Sequence, residues 1–111
     1  MRIRASQMNG CAFCVDMHCV DAQKAGELDR RIFALAAWRE SPFFDDRERA
    51  ALDLTEAMTR LSEHGVPDNV YEAAAAAFGE AELGNLMGVI IAINAWNRVA
   101  VSTELQPPAL A

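Results

Sequence analysis

Apolar residues recur along this chain at the three-to-four-residue spacing of amphipathic helices, and Gly, Pro and Asn punctuate the runs. Asn9-Gly10 closes a short N-terminal helical stub, and Gly26 stops a helix running from about Cys11 to Ala25. Leu28 to Trp38 carries apolar residues at Leu28, Ile32, Phe33, Leu35, Ala36 and Ala37, until Ser41-Pro42 breaks the pattern. Asp45 or Asp46 then caps a helix whose inward face reads Ala50, Leu54, Ala57, Met58 and Leu61, ending at His64-Gly65. Pro67 suits the first turn of the next helix, with Asp68 near its positive end, and Gly79 ends it. Glu80 and Glu82 open a last long helix to about Thr103. No window alternates with a period of two, so the pattern predicts an all-α fold: a single domain over residues 1–105, then a flexible tail over 106–111.

The last helix is apolar on more than one stripe, through Leu83, Leu86, Met87, Val89, Ile90, Ile91, Ile93, Trp96, Val99 and Val101. Such a helix belongs at the centre of a fold or in a subunit interface. The alanines Ala73 to Ala77 allow a neighbouring helix to approach closely. A chain of 111 residues has little interior in which to hide both, so a homo-oligomer is expected.

Composition narrows the function classes. The chain is 52% hydrophobic and 23% charged, with a net charge of −6, which argues against nucleic acid as a partner. Met1 to Ser6 holds no apolar run of signal-peptide length, and Leu86 to Val101 is interrupted by Asn94, Asn97 and Arg98 and is too short to span a bilayer. The expectation is a soluble, cytoplasmic protein that does not engage membranes. Its three cysteines fall close together, as a reactive pair in a reducing compartment would, not as the framework of a secreted mini-protein.

The chemistry concentrates in Cys11-Ala12-Phe13-Cys14-Val15-Asp16-Met17-His18. On a helix turning about 100° per residue, Cys14 falls near 300° and His18 near 340° from Cys11, so the three share roughly a 60° arc. Two thiols and an imidazole on one face make a dithiol redox site with a built-in base. A first-turn position lowers a thiol's pKa, and His18 can relay a proton to Cys14 one turn away. Cys14 is the candidate attacking sulfur and Cys11 the resolving one, with the opposite assignment also open.

Zinc is the sharper rival, since Cys11, Cys14 and His18 are legitimate ligands, but no fourth is evident: Cys19 points elsewhere and His64 sits in a distant cap. Cys19 reads as a packing residue, Asp16 as a solvated position and His64 as a dipole partner at a helix end. Trp38 and Trp96 read as core or interface anchors.

The string Arg4-Ala5-Ser6-Gln7-Met8-Asn9-Gly10-Cys11-Ala12-Phe13-Cys14-Val15-Asp16-Met17-His18 resembles the core of the alkylhydroperoxidase D-like proteins of the carboxymuconolactone decarboxylase superfamily. Ala34 to Phe44, Arg47 to Leu52 and Ile93 to Arg98 extend the resemblance, in order, over nearly the whole chain. It implies an all-helical peroxidase or disulfide reductase, assembled as a trimer or hexamer, whose redox centre maps onto Cys11, Cys14 and His18. The sequence itself gives no direct evidence of a bound cofactor, and neither a cofactor nor a metal is expected. Better-studied members reduce a peroxiredoxin and are re-reduced by a lipoyl-bearing protein. The decarboxylase branch lacks the cysteine pair, so decarboxylation is not expected. The family's relay also uses a glutamate upstream of the first motif cysteine, at a position that falls before Met1, and the expectation is that a longer native protein carries it. Phe13 stands where some members have a second histidine.

The expected activity is therefore a thiol-dependent oxidoreductase acting on a hydroperoxide or a disulfide, with an external dithiol as reductant. The alternative is a helical assembly or zinc-binding module that does not turn over.

Overall fold

The computed structural model describes residues 1–110; Ala111, the end of the expected tail, lies outside them. The described residues form six α-helices and a short 3-10 segment, with no strand among them. Helix α1 (Arg2–Asn9) leads into α2 (Ala12–Lys24), then α3 (Asp29–Ala34) and the 3-10 turn Leu35–Ala37. Helix α4 (Asp46–Thr59), the single turn α5 (Leu61–His64) and α6 (Asp68–Ser102) complete the chain.

The punctuation acts largely as its chemistry dictates. Gly10 takes the left-handed conformation (φ 68°, ψ 33°) that a side chain disfavours, and α1 ends there. Its N–H bonds to the Gln7 carbonyl, and the Cys11 N–H reaches the Ser6 carbonyl at 3.0 Å, the paired pattern of a glycine-terminated helix. Asp45, not Asp46, caps α4: its carboxylate accepts the Glu48 N–H at 2.8 Å while Glu48 Oε1 accepts the Asp45 N–H at 3.0 Å. Gly79 (φ 73°, ψ 173°) breaks α6 at the boundary expected between two helices.

Three expectations need correction. Cys11 is not in α2 but precedes it as N-cap, with extended backbone (φ −88°, ψ 96°). The segment Leu28–Trp38 shortens to α3 and a 3-10 turn, because its tight final turn delivers Trp38 to the core, where it is 3% exposed. The helix expected through His64 breaks at Arg60 (φ −105°, ψ 43°), so Leu61 rotates outward and is exposed. The rest of the expected face holds in part: Leu54 is buried and Ala57 and Met58 pack against the core, while the buried positions of α4 also include Ala51, Leu52, Thr55 and Thr59.

Three apolar clusters hold the fold together. Ala51, Leu54, Val70, Ala74, Leu83, Leu86 and Ile90 join α4 to both halves of α6. Ile3, Ile32, Leu35, Trp38, Phe44 and Leu52 pack α1, α3 and α4 together, with Cys19 against them. Ala5, Cys11, Cys14, Ile93 and Ala100 form the third, so the cysteine pair rests on α1 and α6. Of the alanine run, Ala74 is fully buried and Ala75 partly so. A carboxylate clamp ties the second cluster down. Glu56 Oε2 accepts from Arg4 Nε at 2.9 Å and Trp38 Nε1 at 2.8 Å, and Oε1 accepts from Arg39 at 3.1 Å.

As a whole α6 is longer than the apolar stretch Leu86 to Val101: it has 35 residues and a window of mean hydropathy 1.4, enough by length and composition alone to cross a bilayer. It is the helix on which α1, α2 and α4 pack, and it carries the fully buried Asn97.

Candidate active site

Cys11 and Cys14 are joined by a disulfide, with their Cα atoms 5.3 Å apart. The turn at Gly10 makes this possible, since it redirects the chain and leaves Cys11 capping α2. The Cys11 Sγ accepts the Cys14 backbone N–H at 3.3 Å, and the Cys11 carbonyl accepts from Val15 at 2.9 Å. Cys14 is the third residue of α2, among N–H groups at the positive end of the helix dipole, a setting that favours a thiolate once the bond is reduced.

His18 lies one turn beyond Cys14 and half-buried. Burial, aided by the charge of Arg2, pushes its pKa below the usual histidine value, against an opposing pull from Asp21. The ring is therefore neutral at neutral pH, with a nitrogen lone pair free to take a proton. Cys14 and His18 line one cavity of about 1020 Å³, walled chiefly by Phe13, Met17, Ile93 and Trp96. Cys11 does not line it. The first cysteine opens into a separate groove of about 370 Å³, between the start of α2 and the end of α6.

The expectation that one helix face presents all three groups is thus corrected: Cys14 and His18 share a cavity, and Cys11 lines a second opening that meets the first at Ala100 and Leu105. The reason is local: the 100° rotation rule applies only inside a helix, and Cys11 stands outside it.

The remaining expected residues separate cleanly. Cys19 is half-buried, and burial, with the nearby Asp16 charge, raises its pKa, so it stays a protonated packing thiol. Asp16 and His64 are exposed, and Trp38 is core. Trp96 is not core: it is 66% exposed at the rim of the cavity. Among the described residues no three His, Cys, Asp or Glu side chains converge into a group able to hold a metal.

Sequence reasoning missed the polar chain under the cysteine turn. The Asn9 amide donates to Asn94 Oδ1 at 2.9 Å and to Asn97 Oδ1 at 2.8 Å. Asn97 Nδ2 donates to Ser6 Oγ at 3.0 Å, and that hydroxyl donates to the Arg2 carbonyl at 2.7 Å. Asn94 Nδ2 reaches Thr59 Oγ1 at 3.1 Å on α4. The available signal was the pair Asn94 and Asn97, three apart, in the most apolar helix of the chain, where a buried amide must have partners.

A profile of the carboxymuconolactone decarboxylase family matches residues 1–57. The chain is 44% identical over 102 residues to the uncharacterized protein YdfG of Bacillus subtilis, covering 92% of this chain and 69% of that one. It is 38% identical over 88 residues to the uncharacterized protein YnjA of Escherichia coli, covering 78% of this chain and 47% of that one. A crystal structure from Agrobacterium tumefaciens superposes with a TM-score of 0.96 at 41% identity, over 98% of this chain and 75% of that one. That protein is described as of unknown function and, provisionally, as the antioxidant defence protein AhpD.

Proposed function

This chain belongs to the carboxymuconolactone decarboxylase family, as an AhpD-like member, and from that premise we propose that it is a thiol-dependent antioxidant oxidoreductase. The carrying observation is the disulfide between Cys11 and Cys14 with His18 in the cavity that Cys14 lines. In the reduced chain, neutral His18 takes the Cys14 thiol proton. The thiolate attacks the outer oxygen of a hydroperoxide, the O–O bond breaks, and the alkoxide leaves as an alcohol with a proton returned by His18. Cys14 is then a sulfenic acid. Cys11 attacks its sulfur, water leaves, and the disulfide forms. An external dithiol supplies two electrons and two protons to reopen it. The apolar walls of the cavity suit a hydroperoxide with a hydrocarbon tail.

The same dithiol pair can reduce a disulfide substrate by exchange, and a peroxiredoxin disulfide fits this route. The location in this reading is the cytoplasm, where a lipoyl-bearing or other dithiol regenerates the pair. Self-association into a trimer or hexamer would cover the apolar residues that α6 leaves exposed, Ile91 and Val99 among them.

The test is to reduce the chain, remove the reductant and add cumene hydroperoxide. One peroxide should disappear per disulfide formed, and Cys14→Ser should form none. Full turnover by Cys14→Ser, or no peroxide loss by the wild type, overturns the proposal.

A further inference from the structure

The two openings beside the disulfide divide its chemistry. Exchange at sulfur proceeds by a thiolate approaching in line with the S–S bond, on the side away from the departing sulfur. Cys14 lines the His18 cavity and Cys11 lines the adjoining groove, so each sulfur has its own opening for approach. The leaving groups differ as well. Attack at Cys11 releases Cys14 as a thiolate in the first turn of α2, beside a histidine that can protonate it. Attack at Cys14 would release Cys11, which keeps the Cys14 N–H as a donor but faces the Glu104 carboxylate across its groove, with no histidine lining it to supply a proton.

We propose, building on the redox reading above, that a small uncharged dithiol reductant enters this groove and attacks Cys11 Sγ, so that oxidant and reductant use different openings beside the disulfide. The S–S bond breaks as the reductant–Cys11 disulfide forms, and Cys14 departs and gains a proton. The second thiol of the reductant then attacks the reductant's own sulfur, closing it into an oxidised ring and releasing Cys11 as a thiol. Two electrons and two protons pass from the dithiol to the cysteines.

The end of α6 shapes this entrance. Glu104 is in the left-handed region (φ 57°), uncommon for a glutamate. Around it the Leu105 N–H bonds to the Ala100 carbonyl at 2.9 Å and the Glu104 N–H to the Val101 carbonyl at 3.2 Å. The turn places Leu105 between the two openings and Glu104 at the groove, where it is the only charged lining residue among the described ones. A carboxylate there, on a chain of net charge −6, discriminates against anionic thiols.

Treating the oxidised wild type with limiting 2-mercaptoethanol, an uncharged thiol, then N-ethylmaleimide, and mapping by fragment mass spectrometry reads the attacked sulfur directly. The mercaptoethanol adduct should sit on Cys11 and the maleimide on Cys14; an adduct on Cys14 overturns the proposal. Glu104→Lys should raise the ratio of reduction rates, 2-mercaptoethanesulfonate over dithiothreitol, about tenfold at low salt, the gain fading as salt is added. Val101→Trp, at an exposed position lining the groove, should slow dithiothreitol reduction about tenfold by crowding the approach. A ratio or a rate that stays at the wild-type value counts against the assignment. Disulfide formation by cumene hydroperoxide is measured separately. If it occurs while the adduct maps to Cys14, only the Cys11-side entry falls.

Discussion

Asn9 and Asn97, 88 positions apart in sequence, meet at 2.8 Å, and this contact fastens the end of α1 to the last third of α6 directly beneath the turn that presents Cys11. Asn97 is 1% exposed, so its amide cannot exchange these partners for water. Replacing Asn97 with Leu leaves Asn9 without one acceptor and Ser6 without a donor. The expected cost is about 2–3 kcal/mol, read from the midpoint of urea unfolding, with the slope unchanged.

His18→Gln removes the only imidazole lining the Cys14 cavity among the described residues while keeping a polar side chain there. Disulfide formation with cumene hydroperoxide at pH 7 should fall by about 10²-fold or more, and raising the pH should recover part of the loss as hydroxide ionises Cys14 unaided. Stopped-flow tryptophan fluorescence over a pH series checks this. A pH-independent deficit would contradict the proton-transfer role.

The same histidine predicts a stability profile. Its pKa is lower folded than unfolded, so above about pH 6.5 neither state takes up the proton and stability is unaffected. As pH falls below that value the unfolded chain binds a proton that the folded chain refuses, and stability declines until the folded pKa is passed. Thermal melts of wild type and His18→Gln between pH 7.5 and about 5 should diverge in this sense.

Glu56 behaves oppositely in origin. Burial alone would raise its pKa, but hydrogen bonds from Trp38, Arg4 and Arg39 outweigh burial and hold it below the usual glutamate range. Its stabilisation is present above the unfolded value and is lost as pH falls through the folded one. Glu56→Gln should cost about 2 kcal/mol at pH 7 and flatten the acid limb, measured by urea titration at each pH.

Gly79 combines φ 73° with ψ 173°, a region that essentially only glycine enters. No heavy atom lies within 4 Å of a Cβ built there, so a methyl would meet no clash and any penalty is purely backbone. Gly79→Ala should destabilise by about 1–3 kcal/mol in urea unfolding.

The helices were legible because glycines at 10, 26, 65 and 79 all adopt positive φ and stop elements where the apolar periodicity pauses. Cys14 and His18 were legible for the same reason: both lie inside α2, where spacing fixes direction. Cys11 was misplaced by one position across the helix boundary, which is where rotation per residue ceases to mean anything. Leu61 was misplaced because the break at Arg60 depends on tertiary packing, and no residue at that point is a helix breaker. The asparagine chain and the groove beside Cys11 are contacts between opposite ends of the sequence, and no local pattern encodes them.

A sulfur that terminates a helix cannot change its bonding without changing how that helix begins. In the oxidised chain the Cys11 atom that satisfies the Cys14 amide is already shared with a covalent partner. Once freed as a thiolate it becomes a far stronger acceptor for the same amide. Deuterium uptake at that single backbone position is consequently a gauge of electron occupancy, readable without touching either thiol.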